Sequence, residues 1–248
     1  MRLTVLGCSA AYPGPSGACS GYLVQEGKTN LLVDCGTGVL SNLQRVVALD
    51  KVDGIVISHL HADHFFDLIP YRYALRRPTY RKVRPALYLP PGGKRALRKA
   101  VSAFDKSPDF FSEHFHVQEY DPRKPIEVGK LNIKFIFVKH YIPTYAMAIL
   151  GKKRLVYSAD SGLCDELAEI AKGADLFLCE AARCSRDDGE WGHMLASDAA
   201  KMARSTKVKR LILTHFWPEH DYSKELDQAR RAFGKGLEEA GILHSYAI

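Results

Sequence analysis

No apolar run in this 248-residue sequence approaches the roughly 20 residues needed to cross a bilayer. The N-terminus, Met1-Arg2-Leu3-Thr4-Val5-Leu6-Gly7, enters a strand directly and lacks the layout of a signal peptide. These two absences predict a cytoplasmic protein with no membrane partner. The six cysteines (Cys8, Cys19, Cys35, Cys164, Cys179 and Cys184) form no CxxC pair, so reduced, buried thiols are expected rather than a disulfide framework. Gly36-Thr37-Gly38 is too short for a dinucleotide-binding fingerprint, which removes the usual signal for redox chemistry. Low-complexity stretches, an interdomain linker and internal repeats are also missing. With 46% hydrophobic and 25% charged residues, the chain is expected to form one domain of an α/β or sandwich type over 1–248.

What is present is concentrated in Ser58-His59-Leu60-His61-Ala62-Asp63-His64. It follows Gly54-Ile55-Val56-Ile57, a short β-branched run that reads as a buried strand. Three histidines and a carboxylate therefore sit at a strand's C-terminal end, entering a helix that Asp63 could begin. Imidazole nitrogen and carboxylate oxygen are the donor set for Zn²⁺ or Mn²⁺ at neutral pH. His59 and His61 can converge on one ion, while Asp63 and His64 turn toward a neighbour. An isolated His-x-His is usually surface or packed histidine; the added Asp-His at a strand end makes a metal site the better reading.

Further candidates also end apolar strands. His140 closes Leu131–Lys139, Asp160 follows Arg154–Ser158, and His215 closes Arg210–Thr214. With the central motif, these residues resemble the metallo-β-lactamase superfamily over nearly the whole chain. The resemblance implies an αββα four-layer sandwich of the α/β class and two divalent metal ions. It implies that His59, His61 and His140 hold one ion, that Asp63, His64 and His215 hold the other, and that Asp160 bridges them. Zn²⁺ suits these ligands best, with Mn²⁺ and Fe²⁺ as alternatives. It also implies that Asp34 orients the ligands; read from the sequence alone, Asp34 is a helix N-cap for 39–49.

Periodicity and turn residues place strands at 3–6, 21–25, 30–33, 86–89, 145–150, 153–158, 175–179 and 243–247. Strands at 117–120, 126–128 and 131–139 are expected in a second sheet. Helices are expected over 93–104, 163–171, 196–204 (capped at or near Ser197) and 224–240. The stretch 107–116 is aromatic-rich and has no clear assignment; its His114 and His116 lack a strand-end setting and read as structural.

The subfamily rests on Glu180, at the end of Leu176–Cys179, and on His193 in Trp191-Gly192-His193-Met194-Leu195. These resemble a glutamate–histidine pair of ribonuclease Z-like phosphodiesterases, in which the histidine donates a proton or stabilises charge at the scissile phosphate. The resemblance makes Asp63, His193 and Glu180 the candidate catalytic residues. Two departures matter. Met194-Leu195 replaces the Ser-Thr usual after that histidine, and only nineteen residues separate His140 from Asp160, leaving no room for the arm with which tRNA-processing relatives grip RNA.

The net charge of +7 is uneven, because the stretch from Arg72 to Lys99 contains no acidic residue. A basic rim beside a dimetal site would attract phosphate-bearing substrates, and Tyr71, Tyr73, Tyr80 and Tyr88 could stack on bases or serve the core. The expected activity is hydrolysis of cyclic nucleotides or other small phosphodiesters. RNA or single-stranded nucleic acid is a second partner for the basic segment, and a homodimer stays open. Alternatives are a tRNA 3′-end endonuclease, a thioesterase or lactonase of the same fold, and a non-catalytic nucleic-acid-binding relative.

Overall fold

Most strands are buried on both faces, as strands between two layers must be. In the computed structural model, which describes residues 1–80, 83–187, 189 and 191–248, six successive strands build the first sheet: β1 (Arg2–Gly7), β2 (Gly21–Glu26), β3 (Thr29–Val33), β4 (Gly54–Val56), β5 (Ala86–Leu89) and β6 (His116–Glu119). The next seven build the second: β7 (Ile126–Val128), β8 (Leu131–Val138), β9 (Thr144–Leu150), β10 (Arg154–Tyr157), β11 (Leu176–Glu180), β12 (Leu211–Thr214) and β13 (Leu237–Glu239). A last strand, β14 (Ser245–Ala247), returns to pair with β1. Both sheets are mixed, with neighbours in the order β14-β1-β2-β3-β4-β5-β6 and β13-β12-β11-β10-β9-β8-β7.

Successive strand residues point to opposite faces. Leu3, Val5, Tyr22, Val24, Leu31, Val33 and Val56 of the first sheet meet Ile133, Phe135, Met147, Ile149, Leu155, Leu176 and Leu178 of the second. The alternate residues Leu23, Leu32, Ile55 and Leu87 face outward onto helices α1 (Val39–Leu43) and α3 (Leu68–Leu75), reached through the short α2 (Ala62–Phe65), and α4 (Gly93–Val101). On the other side Val156, Phe177, Leu211 and Leu213 face α5 (Asp165–Ala171), α6 (Ala196–Ser205) and α7 (Ser223–Phe233). Helices, two sheets and helices again make the four-layer αββα sandwich.

Four expectations need correction. Strand β6 pairs in parallel with β5 and so belongs to the first sheet, not the second. Its sequence, His-Val-Gln-Glu, has no apolar face to say which sheet it joins; the crossover through α4 decides. Helix α7 stops at Phe233 rather than running to 240, because Gly234 and Gly236 take positive φ (93° and 92°), and 237–239 become the edge strand β13. Helix α1 is only five residues long and is capped by Gly38, with Asp67 Oδ2 accepting from Leu40 N at 2.8 Å; Asp34 is not its cap. Ser197 likewise does not cap α6, whose N-cap is Leu195. No helix of the described residues is long and apolar enough to cross a membrane.

Candidate metal centre and catalytic pair

The chain leaves β3, β4, β8, β10, β11 and β12 at one end of the sandwich, and each departure carries a functional side chain. Three of these turns use a left-handed backbone on residues other than glycine: Asp34 (φ 57°), Ala159 (φ 52°) and His215 (φ 62°). Such conformations cost of order 1–3 kcal/mol and persist where surrounding structure holds them, commonly at functional sites. Gly36 permits the closest approach, since a Cβ there would lie 1.8 Å from the carbonyl oxygen of Asp63.

All seven candidate ligands converge, in two groups that share Asp160. In the first, His61 Nδ1 lies 3.2 Å from His59 Nε2 and 3.1 Å from His140 Nε2, and Asp160 Oδ2 lies 3.6 and 3.8 Å from the latter two. In the second, His64 Nε2 is 3.5 Å from Asp63 Oδ2 and 3.3 Å from Asp160 Oδ1, while His215 Nε2 is 3.1 Å from Asp160 Oδ2 and 3.9 Å from Asp63 Oδ2. Donors about 2.1 Å from a common tetrahedral ion stand about 3.4 Å from one another. The observed spacings bracket that value.

Hydrogen bonding fixes which nitrogen faces inward. His140 Nδ1 donates to the Gly192 carbonyl (2.8 Å), so the inward Nε2 of the neutral ring carries a lone pair. Ser58 Oγ donates to Asp34 Oδ2 and is 3.0 Å from His59 Nδ1, which gives His59 the same tautomer. His64 Nδ1 donates to Asp34 Oδ2 (2.8 Å), and His215 Nδ1 is held by Ser20 Oγ (3.0 Å). Asp34, fully buried, also accepts from Ser58 N (2.7 Å) and Tyr157 OH (2.9 Å). It orients His64, as the resemblance implied, and partners of this kind set ligand direction in metal sites. Asp63 Oδ2 is held by Ala11 N (2.9 Å). Imidazole nitrogens and carboxylate oxygens thus point at one another within each group; among the described residues, His64 Nε2 and Asp160 Oδ1 are buried without a hydrogen-bond partner. Two divalent cations fit that donor set.

The protonation pattern agrees. Burial, aided by neighbouring histidines, holds His59 well below the usual imidazole range, and His61 and His140 are lowered for the same reason. Burial would also depress His64, but Asp160, Asp63 and Asp34 outweigh it and hold its proton well above that range. Burial pushes Asp63 and Asp160 upward, yet His64 and His215 pull both below the carboxylate range. A cation in the second group takes the place of the His64 proton.

The candidate catalytic pair lies against this cluster. His193 Nδ1 is 2.9 Å from Glu180 Oε1, and its ring stacks on His215 (centroids 5.7 Å, 23°) and sits 5.0 Å from the His140 ring. Glu180, fully buried, also accepts from Ser161 N, Ala182 N and Met194 N (2.9, 2.9 and 3.3 Å). One carboxylate therefore ties together the Asp160 turn, the end of β11 and the His193 loop. Met194, buried in the helix-side core, gives no hydroxyl at that position.

Several supports escaped the sequence reading: Tyr157, Ser20, Ala11 and the Gly192 carbonyl. Only Ser58, inside the motif, carried a local signal. His116 is exposed on β6, and His114 lies 3.5 Å from Glu113; neither joins the cluster. All six cysteines are free thiols, with Cys8 and Cys19 pushed by burial to about 11 and about 12. The basic segment is not one patch. Arg72 is buried, binding the Phe110 carbonyl and Glu113; Arg84 and Arg98 hold carbonyls of 105–115; Arg76 and Arg77 are exposed; Arg81 and Lys82 lie outside the described residues. Tyr71 belongs to the core.

Residues 29–216 match the family model described as the β-lactamase superfamily domain. The chain is 35% identical over 217 residues to "Probable metallo-hydrolase YhfI" of Bacillus subtilis (strain 168), covering 87% of this chain and 86% of that one. It is 30% identical over 299 residues to a ribonuclease Z of Myxococcus xanthus (strain DK1622), covering 97% and 95%. The crystal structure of the metallo-β-lactamase fold protein YhfI from Bacillus subtilis superposes with a TM-score of 0.88 at 28% identity over 99% of both chains. With its strand-end candidate ligands in two groups around Asp160, the chain belongs to the metallo-β-lactamase superfamily, in its ribonuclease Z-like branch.

Proposed function

We propose that this chain is a dimetal-dependent phosphodiesterase acting on cyclic nucleotides or other small phosphodiesters. The observation that carries the reading is the His193–Glu180 pair seated against both ligand groups. In this assignment His59, His61, His140 and Asp160 hold one divalent ion, and Asp63, His64, His215 and Asp160 hold the second, Zn²⁺ being the best match with Mn²⁺ or Fe²⁺ as substitutes. Such ions supply Lewis acidity and the means to ionise water near neutral pH. Asp63 stays ionised and, anchored by Ala11 N, orients the attacking water. His193 acts at Nε2 as proton donor to the leaving oxygen. Glu180 holds its Nδ1, fixes its tautomer and balances the charge of the protonated ring.

The similarity to a ribonuclease Z supports phosphodiester chemistry and favours RNA as a second reading. Against a tRNA grip stands the segment between His140 and Asp160, which is taken up by the β9–β10 hairpin. The test is hydrolysis of bis-p-nitrophenyl phosphate by the metal-loaded protein, with His64→Ala as control. Turnover that vanishes in the control is expected. No turnover with two ions bound would remove the phosphodiesterase reading and direct attention to thioesters and lactones.

A further inference from the structure

Beside His193, the mouth of the site carries two large aromatic side chains that face solvent. Tyr141 and Trp191 are 44% and 49% exposed, although both adjoin residues that are almost wholly buried. Their rings meet edge to face at 5.0 Å (70°), and the Tyr141 ring lies 5.0 Å from His140 and 5.8 Å from His193. The ammonium of Lys139, itself exposed, stands 5.6 Å over the Trp191 ring. This ledge is geared to the centre. The Gly192 carbonyl orients His140, while a Cβ on Gly192 would fall 2.7 Å from the Tyr141 ring, so a side chain there would displace that ring.

Exposed aromatic area of this kind, rimmed by charge, marks a binding surface, and aromatic faces with a neighbouring cation suit planar, electron-rich rings. The position narrows the ligand. A phosphoryl group served by His193 lies one ring contact from Tyr141, and in a nucleotide one ribose separates phosphate from base. We infer that Tyr141 and Trp191 form a nucleobase-stacking subsite, the base lying on Tyr141 with Trp191 as a side wall. The substrate class is then a nucleoside phosphodiester rather than an alkyl one. The inference rests on the phosphodiesterase reading above and adds the residues that set specificity.

The test compares adenosine 3′,5′-cyclic phosphate with the same sugar diester lacking the base. In metal-loaded Tyr141→Ala and Trp191→Ala, the ratio of kcat/KM between the two diesters should fall about ten-fold, the loss appearing in KM, since one stacked base is worth about that factor. Tyr141→Phe should keep the ratio. A ratio unchanged in both alanine variants would overturn the subsite, whatever the absolute rates. A second measurement does not depend on turnover. In a Trp217→Phe protein, Trp191 is the remaining tryptophan, and adenosine 5′-monophosphate should quench its fluorescence saturably while inorganic phosphate does not. Equal responses to the two, or none to the nucleotide, would reject the ledge. Quenching by the nucleotide in a protein that hydrolyses neither diester would uphold the ledge and remove the phosphodiesterase reading instead.

Discussion

At the scale of single residues, the site is built by pairing each inward-facing atom with an outward hydrogen bond. Asp34 serves His64, Gly192 serves His140, Ser20 serves His215 and Glu180 serves His193. His193 differs from the others, because its partner is a carboxylate and its ring lies outside both ligand groups. Replacing His193 by alanine is therefore expected to lower kcat by roughly a hundred- to ten-thousand-fold while both ions stay bound. Turnover and metal content measured on the same sample check this, and parallel loss of the two would make His193 a ligand. The protonation pattern yields a second expectation. His59, His61 and His140 are held below the usual imidazole range, so their group competes little with protons near neutral pH. His64 is held above it, so at any pH below its own pKa a cation there must displace a proton, and affinity falls about ten-fold per pH unit of acidification. On dialysis across falling pH, the ion of the His64 group should leave first, at the higher pH. Simultaneous loss of both ions would contradict the separate behaviour of the two groups.

At the scale of elements, close approach rather than propensity holds the centre. The loop after β3 passes so near α2 that Gly36→Ala would drive a methyl into the Asp63 carbonyl. Because the obstacle is backbone, the clash should cost about 3 kcal/mol or more and loosen Asp63 and His64. A lower thermal midpoint together with weaker metal binding is the expected result; a variant matching the parent in both would show that the loop gives way. The basic segment also divides by element. Arg72, on α3, reaches the Phe110 carbonyl and Glu113 and lies over the Phe110 ring at 4.7 Å. Arg72→Ala should destabilise by about 2 kcal/mol, visible in a denaturant midpoint. Exchanging the exposed Arg76 and Arg77 for serine should leave stability within about 0.5 kcal/mol. That exchange should weaken single-stranded RNA binding without affecting a small diester, and equal effects on both ligands would assign the two arginines to structure alone.

At the scale of the whole molecule, the sandwich joins strand ends that are far apart in sequence: Ser20 and His215 are separated by 195 residues, and His61 and His140 by 79. Ions that bind only when these ends are assembled stabilise the folded chain by mass action. At a free metal concentration one hundred times Kd, that amounts to about 2.7 kcal/mol per independent site. Chelation should accordingly lower the thermal midpoint, and readdition of Zn²⁺ should restore it. A midpoint indifferent to chelator, in protein shown to have lost its metal, would mean that the strand ends are held without help.

The sequence by itself determined the candidate ligand residues and most of the strand order, because both are written in local spacing. His59-Leu60-His61-Ala62-Asp63-His64 follows a β-branched run, and residues 131–135 alternate buried and accessible with period two. Tertiary structure decided what depends on distant partners. Asp34 looked equally like a helix cap until Tyr157, Ser58 and His64 were seen to share it. Arg72 looked like surface charge until Glu113 and Phe110 enclosed it. Strand β6, with no apolar face, drew its sheet from the crossover before it, and α7 ended where two glycines took positive φ. The stacking of His193 on His215, and the ledge of Tyr141 and Trp191 beside it, come from loops on different strands. No local pattern encodes such a meeting, since its geometry is set by the packing of two sheets.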